Sequence, residues 1–373
     1  MSPPKSISVH SLIKRTAAAG CDLQESDGSF PPGSNTVYDD PESPVRATSH
    51  WLTILLKAFD LTGKSRFLGA ADSAVEFLTQ TERRPHGYTF LARKTEEKDK
   101  CNGLIGQSMP IKALAHASQV LNRPELATLS KEVFKLHPFN RTLALWERVD
   151  VDGTVLSFDR TFNHQAIFAA RSATLADTSD GAKEILGIFL DNINDNIQIH
   201  SDGVIRHYVR PPLTRVLKEA LTKQRYGGLI WNEGVNHYYA LSEKRREKEI
   251  GYQPVNLSAF ATLKQSFPDH PVWESKPIRK AIDFVLTDTY AKKVKHGPLY
   301  GDMKFGKGIA NTLLAFRDDL EMAKKWLAED IYKNFDFDAD LYQLNTNDPM
   351  FQAPTISILA ELPNLRLERE NGL

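Results

Sequence analysis

The chain has 373 residues with 47 basic and 47 acidic side chains, so no net charge draws it toward DNA, RNA or an anionic lipid surface. A composition of 41% hydrophobic and 25% charged residues supports a substantial core and excludes wholesale disorder. Two cysteines, Cys21 and Cys101, cannot build a disulfide framework or a four-thiolate zinc site.

Met1 to Arg15 lacks the uninterrupted apolar run of a signal peptide or anchor, and no later run is long enough to span a bilayer. A cytoplasmic protein without membrane or nucleic-acid partners is the expectation. Helical periodicity then comes in pairs. Trp51 to Phe59 is apolar, closes at Leu61-Thr62-Gly63, and is answered by Phe67 to Phe77. Leu104 to Leu121 breaks at Asn122-Arg123-Pro124 and resumes over Leu126 to Leu136. Phe162 to Ala176 breaks at Asp177 to Gly181 and resumes over Ile185 to Ile197. Two weaker hairpins bend near Pro268 to Pro271 and Arg317 to Asp319.

One interval between bends is far longer than the others. The excess lies in residues 200–250, with strand-like Val204-Ile205 and Tyr208-Val209 and a Pro211-Pro212 break. This stretch reads as an irregular, partly β insertion into one repeating helical domain spanning 1–373. Long polar connections precede each hairpin, and such connections are often functional. Pro110, Pro254 and Pro354 are expected near the starts of first helices, where a missing N–H does no harm.

A sixth hairpin could pair Val9 to Ala19 with Ile356 to Leu362, closing a ring. This layout resembles the (α/α)6 toroids of carbohydrate-active enzymes: polysaccharide lyases, unsaturated-uronyl hydrolases, glucuronyl C5-epimerase helical domains and N-acylglucosamine 2-epimerases. The resemblance is architectural and covers roughly Arg46 to Glu361. It implies an all-α toroid with a saccharide in its central cleft.

Polar side chains at the starts of first helices would project to one rim of such a ring. They are Arg46 and His50 beside Trp51, then Asn102 and Gln107, then Arg160, Asn163 and His164, with Tyr252, Gln253, Asn256, Lys307 and Asn311 later. Helix capping is the competing explanation for any single Asn, and a satisfied core histidine the competing one for His164. A second cluster is Trp231-Asn232-Glu233-Gly234-Val235-Asn236-His237-Tyr238-Tyr239. On a helix Glu233 and His237 share a face, so the carboxylate would orient the imidazole; a salt-bridged surface helix would look similar.

The pairs Asn163-His164 and Asn236-His237, with Tyr238 or Tyr239 and Arg160, resemble the Asn-His/Tyr/Arg chemistry of alginate-lyase-type toroids. That resemblance implies proton abstraction beside a uronate carboxylate. The catalytic candidates are His164, His237, Tyr239 and Glu233. The sugar-binding candidates are Arg46, His50, Trp51, Asn102, Gln107, Arg160, Asn163, Trp231, Asn236 and Tyr238.

Amide and guanidinium groups would neutralise the enolate-like intermediate, and the returning proton decides between lyase cleavage and epimerisation. The alternatives are a glycoside hydrolase using Glu233 with an Asp such as Asp159 or Asp302, and a non-catalytic glycan-binding or scaffold protein. No cofactor is expected, because Gly301 to Gly308 matches neither phosphate-binding fingerprint. The loose His200, Asp202 and His207 cluster has no metal-ligand spacing, so no metal is expected. A homodimer is compatible with the sequence.

Overall fold

The computed structural model describes residues 3–34, 40–222, 243–296 and 306–369. The helices are α1 (Val9–Leu23), α2 (Pro44–Thr62), α3 (Ser65–Thr79), α4 (Gly103–Val120), α5 (Pro124–Leu136), α6 (Phe162–Ser172), α7 (Asp180–Asn196), α8 (Leu213–Thr222), α9 (Glu243–Ser266), α10 (Lys276–Val285), α11 (Asp288–His296), α12 (Gly306–Phe316), α13 (Leu320–Asn334) and α14 (Pro349–Gln352), the last continued by a 3-10 helix Ala353–Glu361.

Local chemistry sets the hairpins. Ser43 caps α2 by accepting from the Val45 N–H, Pro44 occupies the first turn, and Gly63 ends the helix with φ 64°, a left-handed conformation natural to glycine. Asn122 turns between α4 and α5 with φ 52°. Ser179 caps α7, and Asp319 caps α13. Helices α2 and α4 are buried over most of their circumference, whereas α3 and α5 bury one face, the pattern of an inner layer wrapped by an outer one.

The inner elements touch in the order α2, α4, α6, α9, α12, the C-terminal segment 349–361, and α2 again. The ring therefore closes. Helices α3, α5, α7, α10 and α13 pack behind their inner partners, and α1 packs against α2 and the C-terminal segment, so the sixth hairpin joins the two ends of the chain. Strands β1 (Ser6–Ser8) and β7 (Arg366–Glu368) clasp those ends, antiparallel, with Ile7 opposite Leu367.

The remaining strands are short: β2 (Phe139–Asn140), β3 (Leu145–Val149) and β4 (Val155–Phe158) form one sheet, and β5 (Phe335–Asp336) and β6 (Leu341–Tyr342) another. They lie in connections from an outer to an inner helix, at the end of the ring where inner helices begin. In 200–250 the extended stretches make isolated bridges, Ile199 to Ile205 and Thr161 to Tyr208.

Two helix starts differ from the sequence expectation. Pro110 and Pro254 lie inside α4 and α9, which begin well before them. A proline there costs roughly 3 kcal/mol in an isolated helix, and burial of the inner layer offsets that cost. Among the described residues, no helix is long and apolar enough to cross a membrane.

Candidate active site

The ring encloses a cavity of about 680 Å³. Each inner helix contributes a stripe at three- and four-residue spacing: Arg46, His50 and Thr53 from α2; Ile105, Met109 and Lys112 from α4; His164, Ile167 and Arg171 from α6; Lys248, Tyr252, Val255 and Thr262 from α9. Lys307 of α12 and Thr355, Ile358 and Glu361 of the C-terminal segment complete the wall. These faces converge because the opposite faces pack on the outer layer. The inner helices begin at the rim, so their positive dipole ends favour anions there.

His164 is the residue with built chemistry. Its Nδ1–H donates to Asp159 Oδ2 at 2.9 Å, and Asp159 is 5% exposed. The same oxygen accepts the Leu104 N–H at 3.2 Å. Burial pushes the Asp159 carboxyl up, but the His164 imidazole, the Leu104 N–H and Arg148 outweigh it and hold the group below the usual carboxylate range. Asp159 is thus an acceptor that orients the imidazole and engages one of its two ring nitrogens. The Asp and His sit at opposite sides of the Thr161 turn into α6.

Gly103 makes room for this pair. It has φ 56°, and a Cβ there would lie 2.6 Å from Asp159 Oδ2. Gly103→Ala is expected to cost about 1–2 kcal/mol from backbone strain alone and to lower activity further by moving Asp159 off His164. Denaturant melts run beside steady-state assays separate the two effects.

His207 lies close by, its ring stacked on Tyr252 at 5.5 Å. Burial, with Lys248, His164 and Arg245 around it, pushes its imidazole far down, so it is neutral. His50 is 6% exposed, and its Nδ1 pairs with Ser357 Oγ at 2.6 Å. Burial first, then Arg46, Arg171, Lys112 and Lys307, hold it well below the usual value. A neutral histidine ringed by four cations marks a strongly positive interior. Among the described residues the lining carries seven basic side chains against the three acidic ones Asp40, Glu42 and Glu361, a balance that favours an anion although the whole chain has no net charge.

Of the residues singled out in the sequence, Arg46, His50, Asn102, Asn163 and His164 line this cavity. Asn163 Oδ1 is buried and, among the described residues, accepts no hydrogen bond. Asn102 does not cap α4 through its side chain; its Oδ1 accepts from Arg93 Nη1 at 3.2 Å. Arg93 also pairs with Asp40 at 3.2 Å and Asp99 at 2.9 Å, so this part of the rim is locked by alternating charges.

Three expected sugar contacts fall elsewhere. Trp51 is 2% exposed and stacks on Phe30 at 5.1 Å, filling the seam between α1 and α2. Gln107 is fully buried, accepting the Phe90 N–H at 2.7 Å and donating to the Phe90 and Cys101 carbonyls at 2.9 and 2.8 Å; it pins a loop. Arg160 is near Arg148 and is not part of the cavity wall. Trp231, Glu233, Asn236, His237, Tyr238 and Tyr239 lie outside the described residues, as does Asp302.

Lys112, Arg171, His207 and Glu361 were not read as site residues from sequence. A charged side chain recurring on the apolar inner face, as Arg171 does two turns after His164, was the available signal. His200 of the loose metal cluster instead pairs with Glu249 at 2.7 Å. Among the described residues, no group of three His, Cys, Asp or Glu side chains is placed to hold a metal.

No protein-family model matches the chain. The cellobiose 2-epimerase of Bacillus thermoamylovorans superposes with a TM-score of 0.63 at 11% identity, covering 95% of this chain and 98% of that one. The alpha-1,6-mannanase of a Salegentibacter species superposes with a TM-score of 0.57 at 12% identity, covering 94% and 98%. At such identities the likeness is one of fold, the (α/α)6 toroid of sugar-processing enzymes. Sequence similarity reaches further: over 353 residues the chain is 37% identical to the archaeal glycosylation protein Q of Haloferax volcanii, covering 93% of this chain and 95% of that protein. The chain belongs to the family of that glycosylation protein.

Proposed function

We propose that the chain is a carbohydrate-active enzyme that moves a carbon-bound proton on a uronic acid or related acidic sugar, as an epimerase or lyase. The observation that carries this is the His164–Asp159 pair, set in a cavity whose charged lining is mainly basic. His164 would take the proton beside the sugar carboxylate, leaving an enolate-like dianion. The surrounding cations would stabilise it. Return of a proton to the opposite face gives the epimer; its delivery to a leaving glycosidic oxygen gives elimination. His237 or Tyr239 is proposed, from sequence alone, to return it.

The fold of the cellobiose 2-epimerase and the name of the glycosylation relative support a saccharide substrate. Hydrolysis would need two carboxyl groups free to act across one bond. Among the described cavity residues, Asp40 is paired with Arg93 and Lys98, and Glu361 with Lys112. Glu42, pushed up by burial against the pull of Arg46, would be left as a single acid.

Incubation with uronates and uronate-containing oligosaccharides separates the outcomes. Epimerisation yields a new sugar without bond cleavage, and elimination yields unsaturated-uronate absorbance. Reducing-end release without that absorbance would overturn the proposal in favour of hydrolysis.

A further inference from the structure

The far end of the ring is stitched across by side chains. Lys112 of α4 pairs with Glu361 of the C-terminal segment, and Glu361 accepts from Thr262 of α9 at 2.9 Å. These are alternate members of the inner ring, so the ties cross the hollow. Just above them is Arg171, enclosed deep in the ring and lining the cavity. Among the described residues its side-chain hydrogen bond goes to Ser108 Oγ at 3.0 Å, although a guanidinium has five donors.

The neighbouring cations are engaged. Lys112 has Glu361, Arg46 has Glu42 at 3.5 Å and the Phe351 ring at 3.8 Å, and Lys307 sits 3.3 Å over the Tyr342 ring. Among the described residues Arg171 has no carboxylate within ion-pair distance; burial and Arg46 push its guanidinium down, and the more distant Glu361 offsets them only in part. An arginine keeps its proton, so what remains is an enclosed charge attracted by Glu361, a carboxylate already tied to Lys112, a costly arrangement that an anionic ligand would relieve.

We propose that Arg171 anchors the carboxylate of a single acidic sugar that enters the cavity acid end first. Its planar fork suits a carboxylate held by two parallel hydrogen bonds. Arg171 follows His164 by two turns on α6, about 10 Å along the axis. Long helical side chains lean toward the N-terminus, so the Arg171 fork reaches back toward the imidazole, and the carbon beside a carboxylate held there would face His164. With the far end stitched, the chain-interior residue of a polymer, which carries sugar on both sides, does not reach Arg171. The substrate is therefore a free or chain-end uronate, an assignment that rests on the proton-transfer reading above.

The test is calorimetric binding of glucuronate, galacturonate, glucose and inorganic phosphate to the full chain and to Arg171→Met and Arg171→Lys, with melting curves of each. The expected result is uronate binding that Arg171→Met weakens about 10- to 100-fold and Arg171→Lys weakens less. Ligand-free Arg171→Met should melt no lower than the parent, because it removes an enclosed charge that has no ion pair among the described residues. A purely structural arginine would instead lower the melt and leave affinity unchanged, and that result overturns the proposal. So would phosphate binding without uronate binding, or processing of polymer interiors. Arg171-dependent uronate binding with proton exchange that survives loss of His164 would keep this anchor and remove the proton-transfer reading. Should Arg171→Met not fold, Arg171→Lys decides alone: unchanged uronate affinity overturns the anchor.

Discussion

His164→Gln is expected to lower turnover by about two to four orders of magnitude, the range for a positioned general base, while leaving the melting curve nearly unchanged. The glutamine keeps a polar group beside Asp159 but has no basic nitrogen. Asp159→Asn should also reduce turnover, because an amide that turns its NH2 toward the ring presents a donor to Nδ1 and selects the wrong tautomer. The acid side of the pH profile follows the same pair. The Asp159 carboxyl lies below the usual range in the folded chain, so its stabilising contribution is present above the ordinary carboxylate value and is lost as pH falls through the folded one. Parent and Asp159→Asn melts should therefore converge on acidification. If His164→Gln turns over at the parent rate, His164 is not the base.

Trp51→Ala is expected to destabilise the chain by about 3–5 kcal/mol, the range for removing a large buried aromatic. The ring is 2% exposed, lies against Phe30, and occupies the space that Gly20 leaves: a Cβ on Gly20 would sit 2.5 Å from its Cζ3. The loss should appear as a lower denaturation midpoint with an unchanged slope. Turnover and KM per folded molecule should stay at parent values. A raised KM in a variant of unchanged stability would instead make Trp51 a sugar-stacking platform.

Trp51 also marks how far the sequence could be read. An aromatic at the head of a first helix has the same local signature whether it faces the hollow or the outer layer, and only the partner glycine on α1 distinguishes them. Gln107 is similar, since its partners are backbone groups of a distant loop. The ring itself was legible because apolar periodicity with capped bends is a local property, and even the pairing of the chain ends followed from counting unpaired helices.

His164 stood out as an imidazole on an apolar helix, and Asp159 as a nearby carboxylate without an assigned role toward it. Arg171 did not stand out, because a basic residue in the last turn of a helix is ordinarily explained by the helix dipole. Its enclosure beside a carboxylate already tied to Lys112 is a property of the closed ring, as is the positive interior around His50.

The most direct measurement is solvent deuterium incorporation into a free hexuronate, followed by NMR with the parent chain and His164→Gln. The account predicts incorporation at one sugar carbon by the parent and its loss in the variant. Equal incorporation by both proteins, or bond cleavage with none, would contradict it.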